Sequence, residues 1–122
     1  MLIRDLAKIE WISAPDGCLV KEWMSPLREK MESGCSFAYA KVEEGKETAL
    51  HALKTSSEAY VVLEGEGVLT IGAESEKVVA GQAIYIPAGE PQKIRNIGKG
   101  DLVFICIVSP PWRKEDEAGP GA

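Results

Sequence analysis

Histidine is the scarcest chemistry-bearing residue of this chain, since His51 is the only one among 122 residues. A single imidazole leaves no second histidine for a catalytic relay. Cysteine is almost as rare, and Cys18, Cys35 and Cys106 are widely separated and contain no Cys-x-x-Cys pair. This pattern predicts neither a disulfide framework nor a zinc–thiolate site. We expect reduced, partly buried thiols, with Cys106 as a small core residue in preference to a reactive thiol.

Long hydrophobic runs and excess positive charge are also absent. No apolar stretch approaches the ~20 residues that span a bilayer, and the first residues, MLIRDLAKIEW, lack the apolar core of a signal peptide. The net charge of −5 would repel nucleic-acid phosphates. Neither a phosphate-binding glycine loop nor a Gly-x-Ser-x-Gly elbow occurs. We therefore expect a cytoplasmic protein with no membrane or nucleic-acid partner.

Short strand patterns separated by turn residues follow one another from residue 36 onward. Alternating apolar and polar residues are interrupted at close intervals by glycine and proline, which is typical of an all-β sandwich or barrel. The length fits one domain with its own core. The predicted strands cover residues 37–42, 48–53, 58–63, 68–71, 76–79, 83–86, 92–96 and 102–108.

The first 35 residues are less regular. Residues 9–12 and 19–24 have strand character around an Ala-Pro-Asp-Gly turn at 14–17. Ser25 and Pro26 fit the start of a short helix over 25–31, with an irregular loop as the equal alternative. The predicted divisions are N-terminal strands and a connecting loop packing on the barrel at 1–35, the barrel at 36–112, and a disordered tail at 113–122.

The stretch 45–65 carries the densest chemical signal. Because side chains alternate along a strand, His51 and Leu53 share one face, and Glu58, Tyr60 and Val62 share a face of the next strand. A nitrogen ligand and a carboxylate are thus predicted to meet inside a barrel. Strand 102–108 is apolar on both faces, which requires a second covering layer, either the opposite sheet with the N-terminal strands or another subunit. We predict a homodimer.

Two spaced motifs resemble those of the cupins. The first cupin motif, Gly-x5-His-x-His-x4-Glu-x6-Gly, matches Gly45, His51, Glu58 and Gly65, with Leu53 in place of the second histidine. The second, Gly-x5-Pro-x-Gly-x2-His-x3-Asn, matches at residues 81–96 with Gln92 in place of its histidine. The resemblance implies a cupin of the small, single-domain, RmlC-like type. Its fold is a jelly-roll barrel, the double-stranded β-helix, with at most one short helical turn near the N-terminus.

The resemblance also implies a site. Cupins hold a transition metal with histidines and one carboxylate, and the corresponding set here is His51, Glu58 and Gln92, for manganese, iron, nickel or zinc. Leu53 cannot donate electrons and an amide oxygen is a weak ligand, so a site without metal is equally expected. In that case His51 and Gln92 serve as hydrogen-bonding residues of a polar pocket, and Tyr60 and Phe104 line it or merely fill the barrel.

Two functions are consistent with these residues. The first is a binding module in which His51, Glu58, Tyr60, Gln92 and Phe104 hold a small polar metabolite, sugar-like or carboxylate-like. The second is a metal-dependent isomerase or dioxygenase that uses His51, Glu58 and Gln92.

Overall fold

The computed structural model describes residues 1–119, and its regular structure consists of short strands and two isolated 3-10 turns. The strands are β1 Ile12–Ser13, β2 Leu19–Met24, β3 Ser36–Val42, β4 Ala52–Leu53, β5 Ser57–Glu64, β6 Glu66–Ile71, β7 Glu74–Val79, β8 Ala83–Ile86, β9 Gln92–Asn96, β10 Leu102–Ser109 and β11 Glu117–Ala118. The 3-10 turns cover Leu6–Lys8 and Lys114–Asp116. The predicted all-β fold is confirmed.

The strands form two facing layers. A six-stranded sheet has the order β1-β2-β3-β10-β5-β8, and a three-stranded sheet has the order β7-β6-β9. The core lies between them, where Ala40, Val62 and Phe104 of the large sheet meet Leu69 and Ile94 of the small one. Since β10 pairs antiparallel with both β3 and β5, strands distant in sequence are neighbours, as a jelly roll requires.

Strand β5 shows the predicted alternation. Glu58, Tyr60 and Val62 are buried, whereas the residues between them are partly exposed. The strand is followed by Gly65, whose φ of +85° favours glycine and where a Cβ would lie 2.8 Å from the Asp101 carbonyl oxygen. The closing turn therefore fixes which face of β5 points inward.

The predicted strand over 48–53 is shorter in the structure. Only Ala52–Leu53 is a strand, and His51 pairs with Gln92 through an isolated bridge. The Thr48 hydroxyl oxygen accepts a hydrogen bond from the Ile94 amide at 3.0 Å, which takes the place of a ladder carbonyl. The segment consequently follows β9 without joining its sheet as a continuous strand.

The short helix predicted over 25–31 is wrong, and the loop alternative is correct. The amides of Arg28 and Glu29 both donate to the Ser25 carbonyl, and the Ser25 hydroxyl caps Leu27 at 3.2 Å. The coil ends after this turn, as expected where seven residues must nucleate a helix without a packed face. Glu29 instead pairs with Arg4 and Arg28.

The disordered tail predicted from residue 113 is also wrong up to Gly119. Residues Lys114–Asp116 form a 3-10 turn, and β11 pairs with β4 in a two-stranded sheet. The cause is a buried carboxylate: Asp116, 3% exposed, accepts hydrogen bonds from Thr55 and Ser56. The part of the predicted tail at 120–122 lies outside the described residues.

The outer face of the large sheet is partly covered by the N-terminal segment. The Trp11 ring lies 5.8 Å from the ring of Tyr39, and the ammonium groups of Lys21 and Lys41 lie over Trp11 at 5.0 and 4.5 Å. Part of the covering layer predicted from the sequence thus comes from the chain itself. Within residues 1–119 no helix is long and apolar enough to cross a bilayer.

Candidate ligand cavity

A cavity of about 490 Å³ opens at one end of the barrel. Its walls come from the inner face of the large sheet, the turn between β1 and β2, and the C-terminal segment that follows β10. This volume lies in the range of small-molecule sites. The apolar walls include Leu53, Tyr60 and Phe104.

The register of the sheet places the cavity side chains. Tyr60 of β5 stands opposite Cys106 of β10, and Glu58 stands opposite Val108, so the inward side chains of the two strands adjoin. The rings of Tyr60 and Phe104 pack with centroids 4.5 Å apart and planes tilted by 38°. Both predicted aromatic residues therefore line the cavity and also fill the barrel core.

A buried hydrogen-bonded chain connects three predicted site residues. The Tyr60 hydroxyl donates to Gln92 Oε1 at 2.9 Å, and Gln92 Nε2 donates to Glu58 Oε1 at 3.0 Å. Gln92 is only 1% exposed and does not line the cavity. Both ends of its amide are occupied, so it positions Glu58 and Tyr60 and does not itself face a ligand.

Glu58 has an unusual acidity. Burial raises its pKa from 4.5 to about 7, although the hydrogen bond from Gln92 and the nearby His51 hold the value down. The carboxylates of Asp16 and Glu117 act in the raising direction. Near neutral pH Glu58 therefore exists in both forms, and it can accept a hydrogen bond or donate one.

His51 is fixed by its own segment. Its backbone exchanges two hydrogen bonds with Gln92, at 3.0 and 2.7 Å, and its Nδ1 lies 2.8 Å from the Ala49 carbonyl oxygen. Because a carbonyl only accepts, Nδ1 carries the hydrogen. The other ring nitrogen, Nε2, lies 3.5 Å from Asp16 Oδ2 in the cavity wall. Nε2 can thus accept from a hydroxyl or, when protonated, pair with Asp16.

Asp16 is a cavity residue that the sequence did not identify. The sequence predicts only a turn residue at this position, and its Oδ1 does hold the turn by accepting from the Cys18 amide at 2.9 Å. The second oxygen is left to face His51. In an Asx turn at the start of a strand, one carboxylate oxygen holds the turn and the other stays available. This pattern in the sequence could have identified Asp16 as a cavity residue.

Glu117 is the second missed residue. It lines the cavity, is 9% exposed, and accepts a hydrogen bond from Trp112 Nε1 at 2.9 Å. Burial raises its pKa despite this hydrogen bond. Its segment has the composition of a disordered tail, so no local pattern indicated its place.

The cavity thiols are not activated. Cys18 and Cys106 both line the cavity, and burial raises the pKa of each well above the ordinary thiol value, with Asp16 and Glu58 acting in the same direction. A thiolate nucleophile is therefore disfavoured, whereas the predicted placement of Cys106 at the barrel interior agrees with the structure.

The donor set at the cupin motif positions does not fit a metal ion. Leu53 is apolar and buried, and Gln92 is committed to Tyr60 and Glu58. Within residues 1–119 no three His, Cys, Asp or Glu side chains are arranged to hold a metal. His51 and Glu58 alone fall short of the three protein ligands typical of such sites.

The family comparison agrees with the fold. The Cupin domain family model matches residues 38–108. An uncharacterised protein of Methanocaldococcus jannaschii is 39% identical over 109 residues, which are 89% of this chain and 86% of that protein. An oxalate-binding protein of Thermotoga maritima is 32% identical over 72 residues, which are 59% of this chain and 60% of that protein.

Solved structures show the same barrel. A predicted oxalate decarboxylase from Thermotoga maritima superimposes with a TM-score of 0.77 at 26% identity, covering 88% of this chain and 98% of that chain. A Streptomyces nucleoside dehydratase reaches 0.78 at 18% identity, covering 98% and 90%, which shows the fold alone. With more than half of its length matched by the family model and its strands in the family's arrangement, the chain belongs to the cupin domain family.

Proposed function

We propose that the chain binds a small, neutral, hydroxyl-rich molecule of sugar-like chemistry in the cavity. The observation that carries this proposal is the convergence of Asp16, Glu58 and Glu117 with the imidazole of His51 at one cavity of about 490 Å³. Carboxylate oxygens accept hydrogen bonds, which hydroxyl groups supply. The Tyr60 and Phe104 rings offer an apolar surface for the opposite face of such a ligand.

A carboxylate ligand is less compatible with these charges. One of the relatives is named an oxalate-binding protein, and that name alone would suggest a dianion. A dianion here would face the carboxylates of Asp16, Glu58 and Glu117, with the His51 imidazole beside them. Of the two cations that also line the cavity, Arg28 already pairs with Glu22 and Glu29, and Lys114 is exposed to solvent. Burial of unpaired like charges is costly, so a neutral ligand is favoured.

Thermal unfolding with two ligand panels tests the proposal. A ligand that binds only the folded state raises the melting temperature. We expect stabilisation by neutral monosaccharides or nucleosides and none by oxalate or other small dicarboxylates. Glu58→Gln should weaken the effect, whereas Glu64→Gln, an exposed glutamate on the same strand, should leave it unchanged. Stabilisation by the dicarboxylates alone would overturn the choice of ligand class.

The metal-dependent isomerase or dioxygenase has less support, because the residues at the motif positions do not form a donor set. Elemental analysis of protein purified without chelator or affinity metal tests this alternative. If the parent protein contained near one equivalent of manganese, iron, nickel or zinc and His51→Ala had lost it, the metal-dependent enzyme would become the favoured function.

The homodimer stays a prediction. Strand β1 is an edge of the large sheet, and its Ile12 side chain is 46% exposed, next to the exposed Trp11. An apolar edge of this kind is suited to pairing with a second copy. Light scattering measures the mass directly, and Ile12→Lys should shift a dimer towards the monomer.

A further inference from the structure

The C-terminal segment 112–119, here called the strap, forms one wall of the cavity. Trp112, Lys114 and Glu117 all line it. The strap also lies against the segment that carries His51, since a Cβ built on Gly119 would come within 3.0 Å of the His51 Cβ and 2.9 Å of the Leu50 carbonyl oxygen. The strap thus covers the part of the cavity where its polar groups converge.

One residue holds most of the strap's polar contacts to the barrel. Asp116 Oδ1 accepts from the Thr55 amide at 3.0 Å and from the Thr55 hydroxyl at 2.7 Å, and Oδ2 accepts from the Ser56 amide at 3.0 Å. Its carbonyl oxygen accepts from the Lys54 amide at 2.8 Å. Hydrogen bonds to a charged acceptor are stronger than hydrogen bonds between neutral groups.

The remaining attachments of the strap are few. The pairing of β11 with β4 covers two residues, and the Trp112 amide donates to the Ser36 hydroxyl at 2.8 Å. By contrast, β10 pairs over seven positions with β3 and again with β5. Segments with few buried contacts open at lower free energy than the core, so the strap can release while the barrel stays folded.

We propose that the strap is a gate which opens as a unit to admit ligand to the cavity, with Asp116 as its catch. In the closed state Asp116 joins the strap to the turn before β5, and Glu117 and Trp112 complete the wall. In the open state these two side chains leave the wall together, because they lie on either side of the 3-10 turn that Asp116 anchors.

Cys106 provides a probe that requires no ligand. It is partly exposed in the cavity wall opposite Tyr60, so a change in the rate of its alkylation by iodoacetamide between variants reports a change in access to the interior. We would replace Cys18 and Cys35 by alanine, then compare alkylation of Cys106 in this background, with Asp116→Asn, and with Asp101→Asn. Asp101 is an exposed carboxylate away from the strap that pairs with Lys41 at 3.8 Å, which makes it the matched control.

In Asp116→Asn one carboxylate oxygen is replaced by an amide NH2 group, which cannot accept the hydrogen bond from the backbone N–H that faces it. The attachment of the strap should therefore weaken. We expect alkylation to become at least about tenfold faster, a change of about 1.4 kcal/mol in the opening equilibrium. The Asp101→Asn rate should not change. The faster rate should also be independent of urea below the unfolding transition, because local opening exposes little surface.

Thr55→Val supplies a milder variant, since it removes one hydrogen bond to the catch and keeps the backbone amides. An intermediate acceleration is expected. Unchanged alkylation in both strap variants, or acceleration that rises with urea as steeply as global unfolding, would overturn the gate. Neither outcome depends on which ligand the cavity binds, so failure of the gate is distinguishable from failure of the proposed function.

Discussion

Two buried carboxylates, one in the cavity and one in the strap, have opposite chemistry. Glu58 is 8% exposed and Asp116 is 3% exposed. Glu58 accepts one amide hydrogen bond from Gln92, so burial dominates and its pKa rises to about 7. Burial would likewise raise the pKa of Asp116, but the hydrogen bonds from Thr55 and Ser56 outweigh it and lower the pKa. The two carboxylates differ in hydrogen-bond supply and also in depth, since Glu58 lies much deeper in the protein than Asp116.

The difference in pKa indicates different roles for the two carboxylates. A carboxylate with a full set of donors is a fixed anion that stabilises structure. A carboxylate left with a single donor beside a cavity has capacity for a ligand and changes protonation near neutral pH. The Asp116 carboxylate therefore holds the strap in place, and the Glu58 carboxylate is available for binding.

The largest expected effect is on the pH dependence of stability. Glu58 holds its proton up to about pH 7 when folded but only to its ordinary value of 4.5 when unfolded. The folded state binds more protons between these values, so the stability that Glu58 contributes is complete below pH 4.5 and is lost as the pH rises through about 7. Between pH 4.5 and 8 the free energy of unfolding should decrease in both proteins. The decrease in Glu58→Gln should be smaller than that in the wild type by on the order of 3 kcal/mol.

Urea denaturation at several pH values between 4.5 and 8 measures this, with Glu64→Gln as the control. Equal pH slopes in wild type and Glu58→Gln would show that Glu58 has an ordinary acidity and would remove the contrast with Asp116.

The next effect concerns the strap carboxylate. Asp116→Asn should lower the free energy of unfolding by about 2 kcal/mol at pH 7, because hydrogen bonds to a charged acceptor are lost. The lowered pKa of Asp116 means that its stabilisation is present above its ordinary value of 3.8 and is lost only as the pH falls through the lower folded value. The deficit should hence stay constant from pH 5 to 8. A deficit that varied across this range would contradict the fixed-anion interpretation.

Gln92 links the Glu58 carboxylate to Tyr60, and its removal should widen the difference in pKa between Glu58 and Asp116. Gln92→Met keeps the length of the side chain but loses both hydrogen bonds, at a cost of about 1 to 2 kcal/mol. The pKa of Glu58 should rise further, since a hydrogen bond that lowers it is removed. NMR titration of carboxyl-labelled glutamate measures this. The exposed Gln82→Met is the control, and an unchanged or lower Glu58 pKa would show that Gln92 does not position it.

A carboxylate in solvent gives the smallest effect. Glu66 Oε2 pairs with Lys77 Nζ at 2.9 Å, with side chains 40% and 60% exposed. Lys77→Ala should change the free energy of unfolding by about 0.5 kcal/mol or less, and the change should shrink at high salt. A loss as large as that of Asp116→Asn would mean that solvent exposure does not determine how much each of these carboxylates contributes to stability.

The barrel and part of the site follow from the sequence because they depend on local spacing. Strand alternation places Glu58 and Tyr60 inward, and the motif spacing brings Gln92 beside them. Of the two roles expected for Gln92, the hydrogen-bonding role is the one that agrees with the geometry. The inward face of β5 required only the two-residue period of a strand, whereas the place of Gln92 at the site came from the resemblance to the second cupin motif.

The remainder of the site depends on contacts distant in sequence. Asp16 and Glu117 reach the cavity because the two ends of the chain return to the same end of the barrel, and composition does not encode such a return. Residues 113–119 are ordered despite a charged, glycine-containing composition, because Asp116 has buried partners that composition does not indicate.

The family match ends at residue 108 and begins at residue 38, whereas Asp16 and Glu117 lie beyond these limits. Three of the four carboxylate residues that line the cavity, Asp16, Glu22 and Glu117, thus lie outside the part of the chain that the family model matches. Substitutions there can alter the charge presented to a ligand while the strands that build the core stay as they are. A shared barrel is for this reason a weak guide to a shared substrate.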